Sequence, residues 1–479
     1  MKLSFSLTLL LASIPYCAGF SAVAPTVPIR ASCENAGQQV RVGFENGEEY
    51  EFHAMWLRDA CRDDDHIVRG AGERLLSATP VGPLAYVDPT QLQATSVRVE
   101  TDDSKDGRVV VSWNDASSVE ESSFSLEFLK KYAPVVGKQV SSSATNTEST
   151  QTKDTVEWST SAENIPVWLE PFTGYPDARA PKDDEMNLWT NQDGPEFQRF
   201  DHAEVLSSDE TLLKLLETLL MRDGVVLVDN VPEDDSDEAR ELRSFIDHAL
   251  GGLQKDPTRG EPNWKIVKTP GADSISYDPI KLLYLHSDSS IPPYGIPAVV
   301  LSMHYVKGYG ANTLTDAFSV AKKIRREDPE AFDLLSTYGY DGERDFAASR
   351  KDSVQKIAEG LVIRRINPIF TLDSDGEIAR VQYNEVFRMP LTLPYDVFPK
   401  WYAAFSKFVS MVHSEENQRT VDMKAGTILL MNNWRVLHGR AGGKASPDRH
   451  LVGGTVVRES AYSRAMQLAQ AMHGKKMEY

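Results

Sequence analysis

Apolar and polar residues alternate over short stretches in the first third of the chain. A period of two is typical of β-strands that bury one face. Together with clusters of β-branched residues, this period predicts strands over 40–44, 49–52, 97–99 and 108–113, followed by a short helix over 126–132. We therefore predict a small β-rich N-terminal domain over residues 35–137.

The second half of the chain mixes strand-like runs with helical periods. Apolar residues recur at helical spacing from 401 to 412, as on a helix that packs one face against a sheet: Trp401, Ala404, Phe405, Phe408, Val409 and Val412. The same criteria predict helices over 212–221, 240–250 and 317–326, and strands over 224–228, 281–285, 298–305, 361–366, 380–383, 427–431 and 451–457. We expect a mainly β fold with supporting helices and a mostly antiparallel sheet.

The segment between these two regions has the composition of a linker. Residues 141–154 contain no apolar side chain larger than alanine. Such a segment cannot bury enough surface to fold by itself. We predict a flexible linker over 138–164 and a large second domain over 165–479.

The amino terminus carries the pattern of a targeting sequence. Lys2 precedes an apolar run that ends at Cys17, and small residues follow, which is the layout of a secretory signal peptide over residues 1–19. Residues 20–34 begin with Phe20 and resemble the transit segment of algae with complex plastids. We expect entry into the secretory route, with the plastid, the ER lumen and secretion left open as destinations. No later segment has the length of a membrane span.

The overall composition excludes several classes of protein. With 479 residues, 41% of them hydrophobic, the chain can bury real cores and is not a disordered protein. A formal net charge of −19 repels phosphate backbones, so nucleic acid is not an expected partner. Three cysteines exclude a disulfide framework but leave a single Cys33–Cys61 bridge open. A small molecule is the expected partner, and a homodimer is left open.

The sequence His286-Ser287-Asp288 ends a predicted strand and carries two metal-binding residue types. Side chains alternate along a strand, so residues two apart point to the same face. An imidazole and a carboxylate on one face supply two of the three ligands in the facial triad of Fe(II) oxygenases. Alone this pattern is weak evidence, because a chain with ten histidines contains about one His-x-Asp by chance.

The second candidate region lies near the carboxyl terminus. His438 follows the buried run 427–431, and Arg449 comes eleven residues after this histidine. An arginine can bind a carboxylate through two hydrogen bonds, which suits the distal carboxylate of 2-oxoglutarate. The alternative for Arg449 is a surface ion pair. Structural roles are expected for three other histidines, His304, His413 and His450.

The chain contains four further motifs: Trp56-Leu57-Arg58-Asp59, Tyr383-Asn384 with Arg388, Tyr395-Asp396-Val397 with Trp401-Tyr402, and Asn433-Trp434-Arg435-Val436-Leu437-His438-Gly439-Arg440. Together they resemble the γ-butyrobetaine hydroxylase and trimethyllysine hydroxylase family, within the taurine dioxygenase-like Fe(II)/2-oxoglutarate enzymes. The resemblance covers the small domain and nearly all of residues 165–460. It implies a catalytic domain with the double-stranded β-helix, or jelly roll, behind the small β-rich domain.

Carried over residue by residue, the resemblance implies a complete site. His286, Asp288 and His438 would bind Fe(II), and Arg449 and Thr313 would bind the 2-oxoglutarate co-substrate. O2 is the second co-substrate, and ascorbate is expected to assist. No catalytic residue beyond the metal ligands is expected, because the protein positions a C–H bond and excludes water.

The chain departs from this family at a zinc site of the small domain. The family holds that zinc with three cysteines after the WLRD motif and a later histidine. Here the cysteine positions are Cys61, Asp63 and His66, and the histidine position is Ser117. Because two thiolates are missing, we expect no zinc there.

A second departure concerns the aromatic cage that holds a quaternary ammonium group in the family. Two cage aromatics are present, but Gly260, Ser274 and Thr455 replace other residues of the pocket. Half a cage would bind a trimethylammonium group poorly, and the two aromatics could equally be ordinary core residues. The substrate-binding set implied by the resemblance is Trp264, Tyr277, Asn384 and Arg388.

Three functions follow from these observations. The leading hypothesis is an Fe(II)- and 2-oxoglutarate-dependent dioxygenase that oxidises a C–H bond of a small amino-acid-derived amine with carboxylates. Hydroxylation, desaturation and oxidative cyclisation are all left open, including cyclisation of a prenylated glutamate as in kainoid (domoic acid-type) biosynthesis. The first alternative is a true γ-butyrobetaine or trimethyllysine hydroxylase of carnitine biosynthesis. The second is an inactive binding protein, against which the intact ligand set argues.

Overall fold

The computed structural model describes residues 28–44, 46–63, 67–68, 73–74, 92–100, 107–114, 121–140, 186–232, 239–255, 262–267, 283–288, 298–345, 362–373, 375–440 and 445–473. The predicted signal peptide over 1–19 lies outside these residues, as does the predicted linker from 141 onward. The same holds for six residues named above, Phe20, His66, Ser117, Gly260, Ser274 and Tyr277.

The amino-terminal part of the chain forms a small β-rich unit. Its strands are β1 (Pro28–Glu34), β2 (Gln39–Phe44), β3 (Glu49–His53), β4 (Ile67–Val68), β5 (Glu73–Arg74), β6 (Ala94–Glu100), β7 (Arg108–Trp113), β8 (Glu121–Ser125) and β9 (Lys138–Gln139). Its helices are α1 (Ala54–Ala60) and α2 (Leu126–Val136). A four-stranded sheet has the order β1-β2-β3-β9, and a three-stranded sheet has the order β6-β7-β8.

The predicted strands and helix of this unit are present, β7 with the predicted limits and the others with different ones. Strand β1 lies entirely inside the predicted transit segment, and β9 lies at the start of the predicted linker. Helix α1 was not predicted, because all of its residues are buried and it lacks the polar face that gives an amphipathic pattern. Helix α2 begins where the Ser125 hydroxyl accepts a hydrogen bond from the backbone N–H of Phe128.

The large second part of the chain contains the remaining elements. Its strands are β10 (Gln198–Asp201), β11 (Val225–Asp229), β12 (Asn263–Val267), β13 (Leu283–His286), β14 (Val300–Lys307), β15 (Tyr309–Asp316), β16 (Tyr340–Asp345), β17 (Val362–Asn367), β18 (Phe370–Leu372), β19 (Ile378–Val381), β20 (Arg419–Lys424), β21 (Thr427–Asn432), β22 (Val436–Arg440) and β23 (His450–Val456). Its helices are α3 (His202–Ser207), α4 (Asp209–Glu217), α5 (Arg240–Leu250), α6 (Ala317–Glu327), α7 (Pro329–Thr337), α8 (Phe398–Val412) and α9 (Arg458–His473).

Two sheets form the centre of this part. The larger has the order β10-β11-β21-β14-β23-β12, and the smaller has the order β13-β22-β15-β20. All pairs are antiparallel except β10 with β11. The two sheets pack through one apolar cluster, to which the larger sheet contributes Met303, Tyr305 and Leu451, and the smaller sheet Leu314 and Val436. The fold is therefore sheet-dominated with helices, as the sequence predicts.

Helices cover the outer face of each sheet. Helices α4, α5 and α9 pack on the larger sheet, where residues such as Val300 and Val452 alternate with those of the inner face. On the other side, helices α6, α7 and α8 share one apolar cluster with Leu437 of the smaller sheet and with the small β-rich unit. Among the described segments, no helix combines the length and apolar character needed to cross a membrane.

The small unit and the segment before helix α8 are joined by buried polar contacts as well as by apolar packing. The Trp56 indole N–H donates to the Leu391 carbonyl at 2.8 Å. Asp59 accepts two hydrogen bonds from Arg388, each of 2.7 Å. Both residues of this ion pair have fully buried side chains. The small unit is therefore fixed to the large part through a continuous core.

Candidate active site

His286 and Asp288 lie at the end of strand β13, where the sequence pattern places them. The Nδ1 atom of His286 lies 2.7 Å from the Tyr284 carbonyl oxygen. Since a carbonyl oxygen only accepts hydrogen bonds, Nδ1 carries the hydrogen and Nε2 keeps its lone pair. That Nε2 lies 3.4 Å from a carboxylate oxygen of Asp288, so the two donor atoms converge.

His438 lies in strand β22, directly opposite His286 in the antiparallel pair. The two imidazole rings have centroids 4.3 Å apart, and Nε2 of His438 lies 4.0 Å from the Asp288 carboxylate. Within the described residues, these three side chains form the one group of potential metal ligands, with donor atoms within 4.8 Å of one another. The structure thus brings together residues about 150 positions apart.

The electrostatics of the site favour a neutral imidazole at His438. Burial, together with the neighbouring His286, lowers the pKa of His438 to about 3. A neutral imidazole offers a lone pair, which a metal ligand requires. Two imidazole nitrogens and one carboxylate oxygen are the donor set of a facial Fe(II) site, so the residues present fit this metal.

An amide holds the backbone beside Asp288 in place, and sequence reasoning missed it. Asn433 accepts a hydrogen bond from the Asp288 N–H at 2.9 Å and donates to the Asp288 carbonyl at 2.8 Å. The same amide nitrogen donates to the Ala298 carbonyl at 3.0 Å. These contacts tie the end of β13 to the turn after β21, next to His438 in sequence. The signal in the sequence is the asparagine of the NWRVLHGR motif.

Arg449 lies between the two sheets, just before strand β23. It is 95% buried, and its guanidinium lies 5.4 Å above the ring of Tyr305. Its Nη2 lies 3.5 Å from the Tyr305 hydroxyl, whereas Nε and Nη1 are buried and have no hydrogen-bond partner among the described residues. A buried cation with open donors is costly unless an anion occupies the space beside it. The surroundings therefore fit a bound carboxylate and not a surface ion pair.

The structure brings Asn312, and not Thr313, to the Tyr305 hydroxyl that lies beside this arginine. Leu314 of β15 lies opposite His438, so alternate residues of β15 from Leu314 back to Asn312 share the inner face. The Asn312 amide donates to the Tyr305 hydroxyl at 3.0 Å. Thr313 is buried, but it falls on the other face, as does Thr315, whose hydroxyl donates to the Val412 carbonyl of helix α8.

The four residues predicted to bind substrate fall in different places. Trp264 is half-buried on β12, opposite Gly453, and a Cβ at Gly453 would lie 2.4 Å from the indole. This indole therefore faces the space between the sheets and needs the glycine. Tyr277 lies outside the described residues. The exposed fractions of Asn384 and Arg388 are 4% and 0%, so neither residue is open to a ligand in this structure.

Asn384 and Arg388 instead support the framework. The Asn384 amide donates weakly to the Ser287 carbonyl, between the two ligands of β13, at 3.4 Å. Arg388 is held by Asp59 on one side and by Glu385 on the other, at 3.1 Å and 3.2 Å. The interpretation of these two residues as substrate ligands is corrected accordingly, because the motif marks positions needed for the fold.

The candidate zinc region of the small unit contains a buried thiol. Cys61 lies 3.3 Å from a carboxylate oxygen of Asp63, and that oxygen also accepts the Ser123 N–H at 2.8 Å. Burial raises the pKa of the Cys61 thiol to about 11. Cys33 and Cys61 are both free, so the disulfide left open by the sequence is not formed.

Comparison with known proteins assigns the chain to a class. Residues 187–455 match the family described as taurine catabolism dioxygenase TauD, TfdA family, and the chain belongs to this family. The match begins just before β10 and includes every residue of the candidate site. The protein is a 2-oxoglutarate-dependent dioxygenase, as the sequence predicts.

The curated relatives are more specific. The chain is 25% identical over 452 residues to the γ-butyrobetaine dioxygenase of Pseudomonas sp. (strain AK-1), which covers 93% of this chain and 97% of that protein. It is 28% identical over 241 residues to the mitochondrial trimethyllysine dioxygenase of Mus musculus, covering 49% and 52%. A solved non-haem iron oxygenase, OrfP in complex with Fe, succinate and (3S)-hydroxy-L-Arg, is 14% identical with a TM-score of 0.39, covering 54% and 85%. That last likeness is too distant to bear on the site.

Proposed function

We propose that this enzyme binds Fe(II) through His286, Asp288 and His438 and oxidises a C–H bond of a small amine that carries carboxylates and derives from an amino acid. The observation that carries the proposal is the convergence of three ligand atoms within 4.8 Å of one another. Arg449, between the same two sheets, supplies the open cation that a dicarboxylate co-substrate needs. We also propose that these sheets form a double-stranded β-helix.

The protein's own groups would prepare this chemistry. When bound, iron with 2-oxoglutarate supplies the oxidation, in which O2 and 2-oxoglutarate are consumed and succinate and carbon dioxide are released. The Tyr284 carbonyl orients the His286 ring, and Asn433 fixes the backbone of Asp288. Arg449 would bind the distal carboxylate of 2-oxoglutarate through its open N–H groups. The apolar cluster between the sheets excludes water from the reacting groups.

Metal content tests the ligand assignment without relying on turnover. We expect the full chain to retain Fe(II) after anaerobic loading and dialysis, and His286→Ala and Asp288→Ala to lose it. His413→Asn is the matched control, because His413 is a partly buried histidine that lies outside the ligand group. Retention of iron by His286→Ala would show that the ligand set is wrong. The same elemental analysis tests the expectation that the small unit binds no zinc.

The second candidate function is hydroxylation of γ-butyrobetaine or trimethyllysine. It is favoured by the similarity to the Pseudomonas γ-butyrobetaine dioxygenase over 93% of the chain. Against it, the inner face of β23 carries Thr455 at a position where the family's cage would need an aromatic residue. Among the described residues, Trp264 is the one aromatic side chain at a cage position.

A substrate panel decides between these two functions. The purified enzyme would be given Fe(II), ascorbate and 2-oxoglutarate with each quaternary amine, and separately with secondary amines such as N-alkenylated glutamates. We expect succinate to form in step with product only for the latter, and mass spectrometry then separates hydroxylation, desaturation and the cyclisation known from kainoid chemistry. Stoichiometric hydroxylation of a quaternary amine would establish the second candidate instead. Metal binding without turnover of any amine would favour an inactive binding protein.

We further propose that the chain is delivered through the secretory route, with a plastid as the destination in an algal host. The support is the signal-like pattern of residues 1–19 and the Phe20 that follows it. A fluorescent protein fused after residue 34 would be expected in the plastid of a diatom-type cell. Retention in the cytosol would overturn this proposal.

A further inference from the structure

The hydroxyl of Tyr305 is placed to act with Arg449, although neither sequence pattern nor motif points to it. Tyr305 lies on the inner face of β14 and has no exposed surface. Its oxygen accepts a hydrogen bond from Asn312 at 3.0 Å and lies 3.5 Å from Nη2 of Arg449. Both neighbours are N–H donors, so the phenol oxygen is held as an acceptor on two sides.

The O–H hydrogen of Tyr305 has no hydrogen-bond acceptor among the described residues. Among the described residues, the contacts of this hydroxyl are with donors, so none accepts its hydrogen. Nε and Nη1 of the adjacent Arg449 are likewise buried and open. A buried hydroxyl and a buried guanidinium, both with unused hydrogens, call for an acceptor that carries negative charge.

The glycine at position 310 keeps space beside these donors. A Cβ there would lie 3.2 Å from Nε of Arg449 and 3.4 Å from the Tyr305 hydroxyl. Gly310 and Asn312 are two apart on β15 and therefore share its inner face. Strands β14 and β15 and the residue just before β23 thus contribute to one small polar group, in which the open donors of Arg449 and Tyr305 lie close together.

We propose that Tyr305 donates its hydroxyl hydrogen to the distal carboxylate of 2-oxoglutarate, that Asn312 orients this hydroxyl, and that Thr313 takes no part. The proposal rests on the function proposed above, in which Arg449 binds the same carboxylate. Tyr305 and Asn312 are binding and positioning residues for the co-substrate. Asn312 fixes the phenol by donating to it, so the O–H must turn away from the amide.

The test compares two keto acids that differ only in the distal carboxylate. 2-Oxoglutarate and 2-oxovalerate present the same keto-acid group to a metal, but 2-oxovalerate ends in a methyl group. Binding of each would be measured by anaerobic calorimetry on the full chain loaded with Mn(II), which needs no turnover. We expect Tyr305→Phe to weaken 2-oxoglutarate binding roughly tenfold and to leave 2-oxovalerate unchanged.

Three further variants make the result specific. Asn312→Ala is expected to weaken 2-oxoglutarate binding by a smaller factor, and it keeps the proposal testable if Tyr305→Phe does not fold. Tyr309→Phe repeats the chemical change at a tyrosine that is 59% exposed, and it is expected to leave both affinities unchanged. Thr313→Val tests the residue implied by the family resemblance.

The possible results distinguish a failure of the role proposed for Tyr305 from a failure of the proposed function. Equal weakening of both keto acids by Tyr305→Phe, or no change in either, would overturn the role of Tyr305. A loss of 2-oxoglutarate affinity in Thr313→Val but not in Asn312→Ala would return the role to Thr313. If the wild-type chain binds 2-oxoglutarate no better than 2-oxovalerate, or if Arg449→Met binds it normally, the proposed function itself fails.

Discussion

Two buried arginines, Arg388 and Arg449, differ in how completely the protein uses their hydrogen-bond donors. Arg388 makes a two-point contact with Asp59 and a second contact with Glu385. Arg449 has the Tyr305 hydroxyl on one side and two open N–H groups. Both are 5% exposed or less. Burial alone therefore does not separate a structural arginine from one that binds a ligand; Arg388 has acidic partners inside the protein, and Arg449 has none among the described residues.

The surroundings of Arg388 favour the charged forms of both Arg388 and its partner Asp59. Although burial alone would raise the pKa of Asp59, the Arg388 and Arg74 guanidinium groups hold it well below its usual range. The Tyr402 hydroxyl also donates to Asp59 at 3.2 Å. No such acid lies beside Arg449 among its described contacts. The protein thus pairs Arg388 with its own carboxylates and leaves Arg449 for a carboxylate from solution.

The largest effect is expected from removing the saturated arginine. Arg388→Met should destabilise the fold by about 3–5 kcal/mol, because the buried carboxylates of Asp59 and Glu385 both lose the guanidinium that lies between them. Urea unfolding followed by circular dichroism measures this loss. The control is Arg199→Met, since the Arg199–Asp229 pair is partly exposed and should contribute at most about 1 kcal/mol. Equal losses in the two variants would contradict the comparison.

Removal of the open arginine should affect binding and spare stability. Arg449→Met is expected to weaken 2-oxoglutarate binding by about 3 kcal/mol, or roughly 100-fold, because the charged donors to the carboxylate are lost. Its free energy of unfolding without ligand should fall by less than about 1 kcal/mol, since few internal bonds break. Anaerobic calorimetry and urea unfolding check the two halves. A stability loss as large as that of Arg388→Met would place Arg449 in the framework.

His304 is a third buried basic residue. Among the described residues, no acid lies beside it to stabilise its cationic form. Burial, with the positive charges of His202 and His450 nearby, lowers its pKa to about 4 from 6.5. The unfolded chain takes up this proton first, so stability is full above pH 6.5 and falls as the pH decreases toward 4. The loss is at most about 3 kcal/mol. The difference in unfolding free energy between pH 7 and pH 4 should shrink in His304→Leu, and an unchanged difference would exclude this histidine.

The smallest effect is expected at the glycine beside the open arginine. Gly310→Ala should weaken 2-oxoglutarate binding by about 1 kcal/mol, because the new Cβ crowds Nε of Arg449 at 3.2 Å. Gly43→Ala is the control, since that strand glycine of the small unit would contact only the Arg30 and Glu49 side chains. The dissociation constant of 2-oxoglutarate is measured for both. Unchanged binding in Gly310→Ala would mean that the space beside Arg449 is larger than the structure indicates.

Apolar periods and apolar runs predicted the elements whose buried residues are apolar, and missed β15, whose buried residues are largely polar. Helix α5 was predicted with its exact limits, since it presents clear apolar and polar faces. Strand β15 was missed because nearly all of its residues are buried while its sequence, YGANTLTD, is polar and contains glycine. Its polar residues are buried against partners, such as Asn312 with Tyr305, that only the folded chain supplies.

The candidate site was predictable in its ligands and less so in its supporting residues. The spacing in His286-Ser287-Asp288 and the motif around His438 predicted that these three side chains lie together, and the structure brings them into one cluster. The choice between Thr313 and Asn312 depends on strand register, where an error of one residue exchanges the two faces. The role of Arg388 depends on Asp59, which lies 329 positions away, and no local pattern encodes such a contact.

The pairing of Asp59 with Arg388 also has a consequence for the order in which the chain folds during synthesis. Asp59 leaves the ribosome long before Arg388, so until then Arg74 is the guanidinium of the small unit that pairs with its carboxylate. The same unit also waits for helix α8, with which it shares an apolar cluster. A nascent chain that has completed only β1–β9 is therefore not a finished domain. The small unit becomes stable when the last third of the chain has been synthesised and packs against it.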